Sequence, residues 1–273
     1  MSDIKMLILK NWQFIVIGSI AIVYWRMANI IISKTLTLAH VADFEIAFRV
    51  FSIAQMLPVI ASATIFPRFI TYYNDNNYEG LKQLYKSVFR YYALFAVAAY
   101  AFIYSFSGVI IPLVVGNGYP GAVQCLQQMF LTFLLMPTVL LQANLIVAIG
   151  LEKQDMWFNI ASVAINLTGC MIGLYFFKSL SVVNYAIFIS FAVFHISQDV
   201  LLITRKLTTI KHCAVFYVAV ALFVLLYNYA ANYFNPYFLF PLFALLIIAF
   251  YFMHQAMTNR GSKLTGLSTY NNS

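Results

Sequence analysis

The sequence predicts an all-α integral membrane protein with about eight transmembrane helices, and three observations predict it. Hydrophobic residues make up 63% of the 273-residue chain and charged residues only 9%, with a mean hydropathy of +0.85. Soluble domains carry about 25% charged residues, so water alone does not solvate a surface of this composition. Apolar runs long enough to span a bilayer, about 20 residues each, recur along the whole length. Lys and Arg collect in alternate loops, the bias that orients membrane helices.

Taken in order, the apolar runs between polar breaks place helices near 13–33, 42–66, 91–114, 122–149, 156–177, 182–203, 213–233 and 237–256. The first has no small-residue cleavage site and contains Arg26, so it reads as a retained helix rather than a signal peptide. The breaks are chemically sensible: "NDNNYEG" at 74–80, "GNGYPG" at 116–121, "EKQD" at 152–155 and "NP" at 235–236. Segment 78–90, "YEGLKQLYKSVFR", is basic and amphipathic. Leu81, Leu84, Tyr85 and Val88 share a face, and the expectation is a helix lying on anionic headgroups through Lys82, Lys86 and Arg90. The tail from 259 to 273 reads as a disordered cytoplasmic extension.

Twelve basic residues (Lys5, Lys10, Arg68, Lys82, Lys86, Arg90, Lys153, Arg205, Lys206, Lys211, Arg260 and Lys263) fall on the side of the N-terminus, against Lys34 and Lys178 on the other. That asymmetry and an even number of spans put both termini in the cytoplasm. The net charge of +8 is scattered between apolar runs, which explains it as topology signal and gives no nucleic-acid patch. Cys125, Cys170 and Cys213 have neither metal nor disulfide spacing.

Two stretches, "IVYWRMANIII" (22–32) and "FEIAFRVFSIAQMLPVIASATIFPRF" (44–69), followed by "VVGNGYPGAVQCLQQM" (114–129) and "AIGLEKQDMWFNIASVAINL" (148–167), carry a family resemblance. Phe44, Ala47, Arg49, Leu57–Pro58 and Pro67, then Gly116, Tyr119, Ala122 and Leu126, then Gly150, Lys153, Asn166 and Leu167 stand in the family's order. Over about residues 10–205 the chain resembles the C-terminal half of bacterial polysaccharide flippases. These are the O-antigen, capsule and exopolysaccharide exporters of the multidrug/oligosaccharidyl-lipid/polysaccharide superfamily. Two departures stand out: Ala28 and Asn29 occupy a place where the family often has an Asp, and "KSLSVVNYA" (178–186) replaces a Gly-x-x-Gly-Ala.

The resemblance implies one six-helix lobe of a two-lobe flippase over 1–210, an extra helix pair over 211–258 and the tail. It implies translocation of undecaprenyl-diphosphate-linked oligosaccharide repeat units across the bacterial inner membrane, with no enzyme chemistry and no cofactor. The substrate cavity of that architecture lies between lobes. The expected partners are therefore the lipid-linked glycan, membrane lipids, and either a separate first-lobe chain or a second copy. The other possibility is a truncated form.

The intramembrane polar residues are the candidate site. Ser19, Arg26, Asn29 and Ser33 share a helical face that should meet protein or a water-filled cavity. Arg26 either binds the glycan's pyrophosphate, which its forked donors match, or holds packing through an acid or carbonyls on a neighbouring helix. Glu45 and Arg49, spaced i, i+4, either form an internal ion pair or serve substrate (Arg49) and ion coupling (Glu45). His195, Gln198 and Asp199 share a face of the sixth span. Asp199 is a coupling candidate for a proton or Na⁺, with Arg205 or water as its ordinary partner, and no third metal ligand is evident. Gln127, Gln128, Gln142 and Asn144 surround Pro137 in the fourth span; Gln128 and Asn144 are the substrate candidates, and inter-helix hydrogen bonding explains such amides equally well. Two other functional classes stay open. A membrane enzyme of glycan assembly needs a positioned acid or base, and only His40, Asp43 and Glu45 lie near the outer face. A non-transporting scaffold or degenerate fragment is the third class.

Overall fold

A computed structural model describes residues 2–245, and among these every regular element is a helix. In chain order they are α1 (Ser2–Thr35), α2 (Leu38–Asn74), α3 (Tyr78–Val115), α4 (Pro120–Phe133), α5 (Met136–Ala148), α6 (Glu152–Phe177), α7 (Leu180–Thr204) and α8 (Ile210–Ala231). With α4 and α5 counted as one broken span, seven helices among the described residues are long and apolar enough to cross a membrane. The chain is an all-α, multi-pass membrane protein. A short apolar helix, Pro236–Leu245, opens the eighth expected span; the rest of that span and the tail lie outside the described residues.

The chain forms two compact units, Met1–Val224 and Leu225–Ser273. The first therefore keeps α8 as far as Val224, past the 210/211 boundary that the resemblance implies. In the second, the rings of Tyr227 and Phe243 meet edge-on at 5.5 Å.

Within the first unit the broken helix α4–α5 lies at the centre, packed by α2, α3 and α7, and is the most buried span. Its break follows from Pro137, which lacks an N–H and cannot continue the ladder. Leu134 and Leu135 bridge the gap with tight turns, and the Thr138 hydroxyl donates to the Leu135 carbonyl at 2.7 Å. The most extensive pairing is α6 on α7. Gly169 and Gly173, one helical turn apart, let the backbones approach as small residues do in membranes. A Cβ at Gly169 would sit 3.2 Å from the Cβ of Ala186, and one at Gly173 would overlap Val182. Gly173→Val should accordingly cost about 1–3 kcal/mol by overpacking a stiff neighbour. Gly108→Ala, with nothing within 4 Å of the added carbon, should not destabilise. Thermal unfolding of the two purified variants checks this.

α2 and α3 run 37 and 38 residues. At 1.5 Å per residue each is about 55 Å long, well beyond a hydrocarbon core of about 30 Å. Segment 78–90 is thus not a separate surface helix but the first turns of α3. Leu81, Tyr85 and Phe89 are buried against Phe69, Leu141, Leu145, Leu202 and Leu207. Its apolar face belongs to the protein core, while Glu79, Gln83, Lys86, Ser87 and Arg90 are exposed and Lys82, half-buried, pairs with Glu79.

Three connections lie at the same end of this unit: 75–77, 149–151 and 205–209. Each preceding helix stops in a Schellman turn, in which two backbone N–H groups cap carbonyls of the last turn. Asn77 and Asn76 donate to Tyr72 and Tyr73, Leu151 and Gly150 to Ile146 and Val147, and Leu207 and Lys206 to Leu202 and Ile203. Asn76, Gly150 and Lys206 take the left-handed conformation, with φ of 55°, 76° and 57°.

Candidate functional site

The polar face of α1 survives folding. Tyr24, Trp25, Ala28 and Ile32 are buried, the spacing of one helical side. Trp25 packs among Phe48, Phe51 and Phe191, and the Tyr24 hydroxyl donates to the Ile187 carbonyl and meets Ser190. That anchoring turns Ser19, Arg26 and Ser33 to the outside, with Asn29 half-buried. Arg26, its side chain 64% exposed, reaches across to α2, its guanidinium 3.5 Å from the Glu45 carboxylate. Asn29 donates to the same carboxylate oxygen, while its own Oδ1 is buried without a hydrogen-bond partner.

The i, i+4 ion pair expected between Glu45 and Arg49 does not form, because Glu45 turns to α1 instead. Arg49 is exposed and has no ion pair among the described residues. Arg26, Asn29, Glu45 and Arg49 therefore make one charged patch on an exposed α1–α2 face. Around it α2 presents Ile53, Met56, Leu57 and Ile60 outward. Chemically the patch offers two guanidinium forks, one already leaning on a carboxylate and one free to bind an anion.

A second polar cluster is fully internal. His195, Gln198 and Asp199 share a buried face of α7, as their spacing predicts. Asp199 does not meet Arg205 or face open water. It accepts from the Gln142 amide of α5 at 2.6 Å and from the Tyr217 hydroxyl of α8 at 2.7 Å, and its Oδ2 lies 3.2 Å from Nδ1 of His195. Tyr217 oxygen also stands 2.5 Å from that Nδ1, and Thr138 Oγ1 3.0 Å from the other ring nitrogen. With Thr138 donating to Leu135, both ring nitrogens of His195 face acceptors, so the cluster accommodates a doubly protonated ring beside the carboxylate. Phe216 stacks on the imidazole at 5.3 Å. Tyr85 of α3 accepts from Gln142 at 3.2 Å. Asp155 of α6, buried, accepts from Gln198 at 2.8 Å and from Asn159 at 3.1 Å. The carbonyl oxygens of Gln142 and Gln198 are buried with no partner.

The other amides of the fourth span hold helices together. Gln127 donates to the Tyr104 carbonyl and Ser107, and Gln128 donates to Ser181 while accepting from Asn184. Gln128 also lines a small polar pocket with His40, Asp43 and Ser181, on the side of the α6–α7 connection. Asn144 is half-buried and apart from both charged clusters. The structure thus joins Arg26, Asn29, Glu45 and Arg49 in one patch and places Asp199, Gln128 and Asn144 elsewhere. Among the described residues no group of three His, Cys, Asp or Glu side chains is placed to hold a metal. The cysteines are free and buried.

Sequence reading missed Tyr217, Thr138 and Asp155. Nothing in their local pattern marks them; Asp155 sits in the polar string "EKQD" and looks like a loop residue until α6 is seen to begin at Glu152. No family model matches the chain, and neither a curated protein nor a solved structure matches it.

Proposed function

We propose that the chain is one lobe of a transporter that moves undecaprenyl-diphosphate-linked oligosaccharide units across a bacterial inner membrane during surface polysaccharide assembly. The observation that carries this reading is the patch of Arg26, Asn29, Glu45 and Arg49, outward-facing on helices otherwise apolar enough to span. A charge facing lipid costs free energy that reaches roughly 2.5–3.5 kcal/mol at the bilayer centre on insertion scales, so a patch of three needs protein or a polar ligand opposite. Phosphate is the chemistry two guanidinium groups bind best, and it is common to all lipid-linked glycans. A facing lobe, from a separate chain or a second copy, would close the cavity, with both termini in the cytoplasm. Glu45, already shared between Arg26 and Asn29, and Asp199, in its pair with His195, are the coupling residues of this reading. Alternating access of two lobes around a central site is how such architectures work.

Complementation of a flippase-null strain tests it, with and without a co-expressed first-lobe chain. Restored surface polysaccharide only with the partner supports the half-transporter. Robust export by this chain alone, with no homodimer on crosslinking, would overturn it.

A further inference from the structure

The three Schellman turns enclose a pocket that the transport reading does not use. It has a volume of about 250 Å³ and is lined by Tyr73, Tyr78, Leu81, Ile149, Leu151, Arg205 and Leu207. From Glu45 to Tyr73 along α2 is about 40 Å at 1.5 Å per residue, so this pocket and the Arg26 patch occupy opposite ends of the lobe.

Its lining is sorted by polarity. Leu81, Ile149 and Leu207 are buried and, with Leu151, form an aliphatic floor. Tyr73 and Tyr78 meet edge-on at 6.2 Å and stand at the rim; the Tyr78 hydroxyl has only a long 3.4 Å contact to Asn76. Arg205 is exposed at the mouth and makes no ion pair among the described residues. Helix dipoles do not set the local sign, because α2, α5 and α7 end here where α3, α6 and α8 begin, and their partial charges offset one another. The side chains decide it: at this end Arg68, Lys82, Lys86, Arg90, Lys153, Arg205, Lys206 and Lys211 outnumber the exposed acids Asp75 and Glu79 and the half-buried Glu152.

We propose that this pocket binds the phosphate headgroup of an anionic membrane lipid, with Arg205 and the tyrosine hydroxyls on the phosphate and the first acyl methylenes on the aliphatic floor. A soluble anion would use the cationic mouth and leave the floor without purpose. A neutral apolar molecule would leave an unpaired guanidinium at the entrance. Only a ligand that is anionic at one end and aliphatic at the other satisfies both halves, and basic pockets between helices hold lipid headgroups in this way. Tyrosines at such a level are suited to it, apolar in body and polar at the tip.

The test is native mass spectrometry of the purified full chain, delipidated and titrated with phosphatidylglycerol or phosphatidylcholine of identical acyl chains. One phosphatidylglycerol per chain should be retained in roughly tenfold preference, the ratio that one charge-assisted contact supplies. Arg205→Gln should remove that preference, Arg205→Lys should keep part of it, and Tyr78→Ala should weaken retention while preserving charge. Lys153→Gln, at the same end but outside the pocket, should change nothing. Excess inorganic phosphate without lipid should fail to protect the chain against thermal unfolding, whereas phosphatidylglycerol protects it. Unchanged preference in Arg205→Gln, or equal losses in Arg205→Gln and Lys153→Gln, would overturn the site in favour of diffuse surface attraction. Protection by free phosphate equal to that by lipid would overturn the lipid assignment.

Discussion

Arg26→Ala is expected to reduce export by roughly ten- to hundredfold in a functional assembly, the loss expected for a charge-assisted phosphate contact, while the amount of protein in the membrane stays near normal. The geometry separates these two readouts. Arg26 is 64% exposed and its one ion pair among the described residues is the 3.5 Å approach to Glu45, which keeps its hydrogen bond from Asn29 when the arginine is gone. Arg26→Lys should recover part of the export, since a point charge replaces a two-pronged donor. A purely structural arginine gives another pattern: Glu45 left short of a counter-charge, and protein level falling together with export. Export per molecule and membrane level, measured on the same variants, distinguish the two. Normal export per molecule from Arg26→Ala ends the substrate-binding role.

The larger stability effect belongs to Asp199. Asp199→Ala leaves Gln142, Tyr217 and His195 without their shared acceptor in a buried site, at about 1–3 kcal/mol for each donor left unsatisfied. Asp199→Asn keeps a carbonyl acceptor of the same shape and should cost less. The double variant Asp199→Leu with His195→Phe should be more stable than the sum of its single changes, because neither partner is then stranded. Additive losses in thermal unfolding would show that the two side chains are not energetically coupled. If the cluster also couples transport to an ion, Asp199→Asn should retain the fold and lose export; intact export in that variant confines Asp199 to structure.

Much of the membrane architecture was legible because apolar runs and polar breaks are local properties. The α1 stripe was legible for the same reason: its period is carried by one helix. Two kinds of feature were not. Contacts between helices depend on the register of one helix against another, so Glu45 read as the partner of Arg49 when folding gives it to Arg26 and Asn29. Tyr217 and Gln142 joined Asp199 only once α5, α7 and α8 were packed. Polar composition also hid the start of α3, since a helix that emerges from the bilayer needs charge on one side and none on the other. The Gly169–Gly173 spacing was readable in principle and marks a close approach in the most extensive helix pair.

The three Schellman turns have a mechanical consequence. At their end of the lobe each of three connections is fixed by a paired hydrogen-bond cap, which the two-residue connections 36–37 and 178–179 at the other end do not have. Such an end behaves like the rivet of a folding fan: the blades hold their spacing there and move most at the far end. The broken ladder at Leu134–Leu135 gives the central blade a place to flex. Any rearrangement of this lobe should therefore pivot about the tethered end and be largest at the opposite one, with the α6–α7 pair, closed by Gly169 and Gly173, moving as a unit. Crosslinks placed across the capped connections should leave its motion intact, and crosslinks between α1 and α2 beside Arg26 should arrest it.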